Sequence, residues 1–189
     1  RAEWMAVRAT DYPYCQRPFT VLAHRGGAGM TANKGIENTL AAFRHAVDLG
    51  CTHLETDVHA TSDGVLMAFH DPILDRVTES SGVIAKMPWH EVRQASVGGE
   101  PIPTLDDVLD AFPESFINID IKHDAATMPL IEVLSRHRAW NRVCVGSFSS
   151  KRIRTFRRLV RERTATAVGP VGVGWAVVGP NSQIGRAHV

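Results

Sequence analysis

Four ionisable pairs punctuate the chain, each at the end of a short apolar run: His24 with Arg25, Glu55 with Asp57, His70 with Asp71, and Asp120 with Lys122. Residues two apart on a strand point the same way, so Glu55 shares a face with Asp57, and Asp120 shares one with Lys122. If those faces turn inward, Glu55, Asp57 and Asp120 converge. Three adjacent carboxylates repel one another and take up protons unless a cation neutralises them. An all-oxygen donor set suits one hard divalent ion, Mg²⁺ or Ca²⁺; zinc favours clustered His or Cys, and the histidines here lack that spacing. Glu55 alone would read as a surface acid; the three together read as metal ligands. His24 and His70 suit acid and base work near neutral pH, although a lone histidine at a strand end is more often structural. Arg25 and Lys122 bring positive charge to the same place, so an anionic group such as phosphate is the natural ligand.

These residues need a scaffold that gathers strand ends. Apolar runs suited to buried strands are Phe19–Ala23, Thr52–Val58, Val65–Phe69, Phe116–Ile121, Arg142–Gly146 and Thr164–Val168. Helical segments lie between them. One runs from a cap at Asn38 or Thr39 to Leu49 with the stripe Leu40, Phe43, Val47 and with Gly50 at C′; one is capped by Thr104 and ends at Phe112; others cover Ala125–His137 and Ser149–Arg163. Apolar strands of parallel type alternating with helices predict an α/β protein, either a doubly wound sheet or a TIM (β/α)₈ barrel. No phosphate-binding glycine motif of a nucleotide-binding sheet follows a strand, which favours the barrel. Six of its eight strands are expected within this chain. In a barrel, all four ionisable pairs then meet at the C-terminal rim, where barrel active sites lie. Gly26-Gly27-Ala28-Gly29 reads as a flexible strand-to-loop turn ahead of a phosphate cradle.

The remaining features bound the answer. Residues 1–18 are irregular, the barrel portion spans 19–179, and 71–103 reads as an insertion over the active-site end. Residues 180–189 are expected to be a non-native tail, because Ile184–Val189 matches the peptide a sequencing adaptor encodes. Net charge is +1, so nucleic acid is not an expected partner. No apolar run is long enough to span a bilayer, and with no visible signal peptide a cytoplasmic location is expected. Cys15, Cys51 and Cys144 fit neither a disulfide framework nor a zinc site. Seven basic residues between Lys151 and Arg163 read as a solvated helix face, with lipid or phosphate contact as the minor reading. Trp89, Trp140 and Trp175 read as packing residues before pocket residues.

The motifs His24-Arg25-Gly26, Glu37-Asn38-Thr39, Glu55-Thr56-Asp57-Val58, His70-Asp71 and Asp120-Ile121-Lys122 occur in that order. With Leu74-Asp75-Arg76-Val77-Thr78, Gly82 and Ser147-Phe148, they resemble the glycerophosphodiester phosphodiesterase family over roughly residues 21–168. The resemblance implies a TIM barrel that hydrolyses glycerophosphodiesters, such as glycerophosphocholine, to glycerol 3-phosphate and an alcohol. It implies Glu55, Asp57 and Asp120 as metal ligands, His24 and His70 as the acid/base pair, and Arg25 and Lys122 as phosphate-binding residues. Glu37 matches a supporting position near the metal. Two residues depart from the pattern: Ile36 stands where the family usually has Pro, and Asp120 where it more often has Glu. Competing readings are a phospholipase D-like or phosphoinositide-type phosphodiesterase on the same fold, and an inactive fragment or binding pseudoenzyme.

Overall fold

A computed structural model describes residues 8–16 and 21–167. The expectations for Gly169–Gly179, Trp175 and the tail lie outside these residues. Strands β1 (Leu22–Ala23), β2 (His53–Ala60) and β3 (Leu66–Ala68) come first, with helix α1 (Leu40–Asp48) between β1 and β2. Helix α2 (Trp89–Val92), the small hairpin β4 (Ser96–Val97) and β5 (Glu100–Pro101), and helix α3 (Leu105–Ala111) follow. Then come β6 (Phe116–Ile121), α4 (Thr127–His137), β7 (Val143–Gly146), α5 (Ser150–Leu159) and β8 (Ala165–Thr166).

The main sheet has the order β1-β2-β6-β7-β8, all parallel, with β3 attached to β2. Alternation within the strands explains the layering. On β6, Ile117, Ile119 and Ile121 are fully buried, on the face opposite Asn118 and Asp120. On β2, Leu54 and Val58 share that buried apolar face, and Glu55 and Asp57 take the other. The apolar face packs against Phe43 of α1, Leu105 and Leu109 of α3, Leu130 and Leu134 of α4, and Phe156 of α5. One side of a curved parallel sheet is thus covered by helices, and the polar side faces inward, as in a barrel wall.

Helix boundaries follow their caps. Thr39 Oγ1 accepts from the Ala42 amide, Thr104 and Asp107 form a reciprocal capping box, and Ser149 accepts from the Arg152 amide. Gly50 follows α1 with φ 89°, in the expected C′ position. Helix α5 stops at Leu159, short of the expected Arg163, and Val160 turns extended. The extended turn there lets the chain return to the sheet, where Ala165 pairs with Cys144 of β7.

The third strand departs from expectation in direction. β3 runs antiparallel to β2, pairing Val58 with Ala68 and Ala60 with Leu66. The link of residues 61–65 is far shorter than the dozen or so residues a parallel crossover needs, and it carries the turn pair Asp63-Gly64. The described barrel wall therefore has five parallel strands, and the sixth strand of the sheet is a hairpin arm. β2 overshoots the rim and β3 brings the chain back, so Phe69 donates its amide to the Asp57 carbonyl at 2.9 Å. His70 reaches the rim by this return.

Residues 71–103 build a small core of their own on Met67 and Phe69, using Leu74, Ile84, Val92, Val97 and Ile102, with Trp89 packed against it. Cys15, Cys51 and Cys144 are free thiols, and Trp140 packs on the main core. Among the described residues, no helix is long and apolar enough to cross a membrane.

Gly26 shows how tightly the first turn is seated. It has φ 76°, and a Cβ there would lie 3.0 Å from both Ala42 Cβ and Phe43 Cδ1. Gly26→Ala is expected to destabilise the protein by more than about 1 kcal/mol through backbone strain and overpacking. Urea denaturation checks this; an unchanged midpoint contradicts it.

Candidate active site

At the end of β1 the chain reverses within three residues. Arg25, Gly26 and Gly27 all have positive φ, at 50°, 76° and 79°. A non-glycine residue rarely holds that conformation without support. Arg25 has it from two sides: its amide donates to Glu55 Oε2 at 2.7 Å, and its carbonyl accepts from the Asn38 amide at 3.0 Å. The turn therefore fixes the Arg25 backbone directly on a β2 carboxylate.

Asp57 and Asp120 lie opposite each other in the β2–β6 register, so they reach the rim at one height. Lys122 Nζ sits between them, 2.8 Å from Asp57 Oδ1 and 2.6 Å from Asp120 Oδ2. Burial alone would lower the Lys122 pKa, but hydrogen bonds and charge from Asp120 and Asp57 outweigh it and raise it. The Asp57 side chain is only 2% exposed. Its other oxygen accepts from Asn38 Nδ2 at 3.1 Å and lies 3.5 Å from Arg25 Nε. Asn38 is itself held by Thr56, whose hydroxyl donates to Asn38 Oδ1 at 2.9 Å.

Glu55 has less cationic help. Burial first, and then the Asp57 charge, push its pKa up to about 7. His24 Nε2 is 3.9 Å from its carboxylate. Asp120 Oδ1 is buried with no hydrogen-bond partner. The expected convergence of the three carboxylates is thus present on one rim, with an ammonium between two of them. Among the described residues, no three His, Cys, Asp or Glu side chains stand in metal-holding geometry. Lys122 supplies the charge that the buried acids require.

The two histidines differ. His24 remains 65% exposed; partial burial and then the neighbouring Arg25 charge hold its pKa below the ordinary imidazole value. His70 is half-buried, with Nδ1 2.6 Å from Asp71 Oδ1. Its carbonyl accepts from His59 Nε2 at 3.0 Å, which pins the backbone beneath it. His24, Arg25, Glu55, Asp57, His70, Asp120 and Lys122 line one cleft of about 690 Å³, with Asn118, Ser147 and Phe148 also in its wall. Phe148 is exposed, and Lys122 Nζ lies 5.3 Å from its ring centroid. Glu37 sits behind Arg25, with Oε1 3.3 Å from Nη1.

The sequence reading gave no role at the site to four participants: Asn38, His59, Arg76, and Asp71, which it noted only as the neighbour of His70 in an ionisable pair. Asn38 reads as a helix cap, yet Thr39 takes that role and Asn38 bonds Asp57. Its φ of 58° is the conformation Asn tolerates best after Gly, a signal no apolar period reveals.

Fold and site together define a (β/α)-barrel protein whose rim concentrates carboxylates, histidines and cations around one cleft. The chain belongs to the Glycerophosphoryl diester phosphodiesterase family, whose model matches residues 24–169. Members of this family have the (β/α)₈ barrel and generally use a divalent metal ion. The chain is 42% identical over 149 residues to a protein named probable glycerophosphodiester phosphodiesterase 2 from Mycobacterium tuberculosis, covering 78% of this chain and 55% of that one. It is 31% identical over 154 residues to the glycerophosphodiester phosphodiesterase of Caldanaerobacter subterraneus, covering 74% of this chain and 62% of the relative. Among solved structures, it superposes on an Oleispira antarctica phosphodiesterase in complex with the product sn-glycerol-3-phosphate. That match has a TM-score of 0.71 and 28% identity, and covers 82% of this chain and 66% of the other. The chain thus spans less than two thirds of the length of the two curated relatives.

Glu55 makes the metal-free protein sensitive to pH. Its folded pKa, about 7, lies above the ordinary 4.5, so the folded state binds the extra proton. Stability is then greatest below about pH 4.5 for this group and falls as pH rises towards 7, by up to about 3 kcal/mol. Glu55→Gln is expected to flatten that fall in chelator-treated protein. Parallel pH dependences for wild type and variant would contradict it.

Proposed function

We propose that this site hydrolyses glycerophosphodiesters, such as glycerophosphocholine, to glycerol 3-phosphate and an alcohol with the help of one divalent cation, Mg²⁺ or Ca²⁺. The observation that carries this reading is the gathering of two histidines, three carboxylates and two cations on one rim, in a member of this family. The Oleispira antarctica neighbour is in complex with the product sn-glycerol-3-phosphate, which supports a glycerol phosphate moiety as the ligand of this site.

Glu55, Asp57 and Asp120 are the residues that would hold the ion. Their fit is supported by the donor chemistry, all oxygen, by the raised pKa of Glu55 and by the unpartnered Asp120 Oδ1. When bound, the ion polarises the phosphoryl group and offsets charge in the transition state. Arg25 and Lys122 bind the phosphodiester oxygens. Arg25 is suited to this because its backbone is fixed on Glu55 and Asn38 before substrate arrives, so little reorganisation is needed. One histidine takes a proton from the nucleophile, which is water or the glycerol hydroxyl through a cyclic phosphate. The other gives a proton to the departing alkoxide as the phosphorus–oxygen bond breaks. Asp71 orients the His70 ring for its part, and Asn38 holds Asp57 against the rim.

The test is release of glycerol 3-phosphate from glycerophosphocholine by the full-length protein, with and without a chelator. Activity is expected to vanish with chelator and return with Mg²⁺ or Ca²⁺. His24→Ala and His70→Ala are each expected to lower kcat about 10²- to 10⁴-fold. Near-full activity in both variants would sink the acid/base assignment. Asp120→Asn is expected to raise the metal concentration needed for half-maximal activity at least about tenfold, since one of three charged ligands is lost. An unchanged metal requirement would remove Asp120 from the ligand set.

A further inference from the structure

Arg76 lies outside the cleft wall, yet it touches the partners of two residues within it. Its Nη2 donates to Glu37 Oε1 at 2.5 Å and its Nη1 to Glu37 Oε2 at 3.1 Å. Its Nε donates to Asp71 Oδ2. Glu37 is the carboxylate behind Arg25, and Asp71 is the carboxylate on His70 Nδ1. One guanidinium therefore stands behind both the anion-binding side and the histidine side of the site.

The backbone that carries Arg76 is built to hold it. Leu74 is fully buried in the small core of the 71–103 segment. The Leu74 amide donates to the Gly82 carbonyl at 3.1 Å, the Gly82 amide donates to Asp75 Oδ2 at 3.2 Å, and the Thr78 hydroxyl donates to the Leu74 carbonyl at 2.8 Å. An arginine side chain 46% exposed would gain little from an ordinary surface ion pair. Here it makes a fork to one carboxylate and a third bond to another, the geometry that lysine cannot reproduce.

The charges give this arrangement a consequence. Glu37 and Asp71 would be raised in pKa by burial alone, but the hydrogen bonds and charge of Arg76, joined by Arg25 at Glu37 and by His70 at Asp71, outweigh that and hold both low. With Arg76 occupying both oxygens of Glu37, Arg25 shares only Oε1 at a longer 3.3 Å. Arg25, whose Nε also lies 3.5 Å from Asp57, is thus drawn less towards Glu37 and keeps more of its charge for an incoming anion. Without Arg76, the whole Glu37 charge would fall on Arg25 and compete with that anion. The Asp71 carboxylate would at the same time lose the bond that fixes its second oxygen, and the His70 ring would lose its orientation.

We propose that Arg76 is a positioning and charge-balancing residue: it neutralises Glu37 so that Arg25 can bind the substrate anion, and it locks Asp71 so that His70 is held for proton transfer. This rests on the roles given above to Arg25 and His70. It gives a second working residue to the 71–103 segment, which already supplies Asp71 and otherwise packs on Met67 and Phe69.

The test separates the two arms. Binding of inorganic phosphate in the presence of Mg²⁺ is measured by calorimetry, and kcat on glycerophosphocholine separately, for full-length wild type, Arg76→Gln, Arg76→Lys, and the double variant Glu37→Gln with Arg76→Gln. Arg76→Gln is expected to weaken phosphate binding about tenfold and to lower kcat tenfold or more, a range typical of outlying partners of a site. Arg76→Lys, which keeps the charge but not the fork, is expected to recover phosphate affinity and not kcat. The double variant removes both charges behind Arg25, and is expected to restore phosphate affinity while kcat stays low. A purely structural role predicts that the double variant is no better than Arg76→Gln in either readout, and that result overturns the proposal. Phosphate affinity unchanged in Arg76→Gln also overturns it. If Arg76→Gln fails to fold, the Arg76→Lys split between affinity and kcat decides alone. Absence of glycerol 3-phosphate release in wild type would reject the phosphodiesterase reading, while the phosphate series would still decide the charge-balancing role.

Discussion

Asp57 is the charge on which the rest of the site depends. It is almost wholly buried, and a buried carboxylate persists as an anion only if its surroundings supply hydrogen bonds and positive charge. Three elements supply them. Lys122 comes from the end of β6, Arg25 from the turn after β1, and Asn38 from the residue before the cap of α1. Each of those side chains is in turn held by something else: Lys122 by Asp120, Asn38 by Thr56, and Arg25 by Glu37 and through its amide by Glu55. The rim is one network in which removing a member leaves a buried charge without its partner.

The fold earns its place by setting heights. Parallel pairing of β2 with β6 puts Asp57 level with Asp120, and parallel pairing of β1 with β2 delivers His24 and Arg25 just above Glu55. A register slip of one residue would send every one of these side chains to the helix-covered face, where Ile117, Ile119 and Ile121 now pack. The apolar face therefore enforces the geometry of the polar one. The β2–β3 hairpin adds what the parallel wall does not provide, a return of the chain that sets His70 beside the strand carrying Asp57.

Much of this was legible in the residues. β2 and β6 announce themselves by alternating apolar and polar positions, and Thr39, Thr104 and Ser149 mark helix starts where they occur. The seven rim residues also declared themselves, because ionisable pairs at strand ends have no packing explanation. The direction of β3 was harder, since three apolar residues look alike in parallel and antiparallel strands; only the short link with Asp63-Gly64 distinguishes them. Arg76 was visible as part of a motif but not as a hub, because its partner Glu37 lies 39 residues away and no local pattern joins them. The Lys122 ammonium between Asp57 and Asp120 was likewise beyond sequence, where the lysine read only as an anion-binding charge.

The central claim is that Glu55, Asp57 and Asp120 together hold one divalent ion in the working protein. The most direct measurement is anomalous diffraction at the manganese edge from crystals of the full-length protein grown with Mn²⁺ and glycerol 3-phosphate. The account predicts one anomalous peak in contact with all three carboxylates and with a phosphate oxygen of the ligand. A rim with no peak, Lys122 still bridging Asp57 and Asp120 and the ligand bound elsewhere, would contradict it.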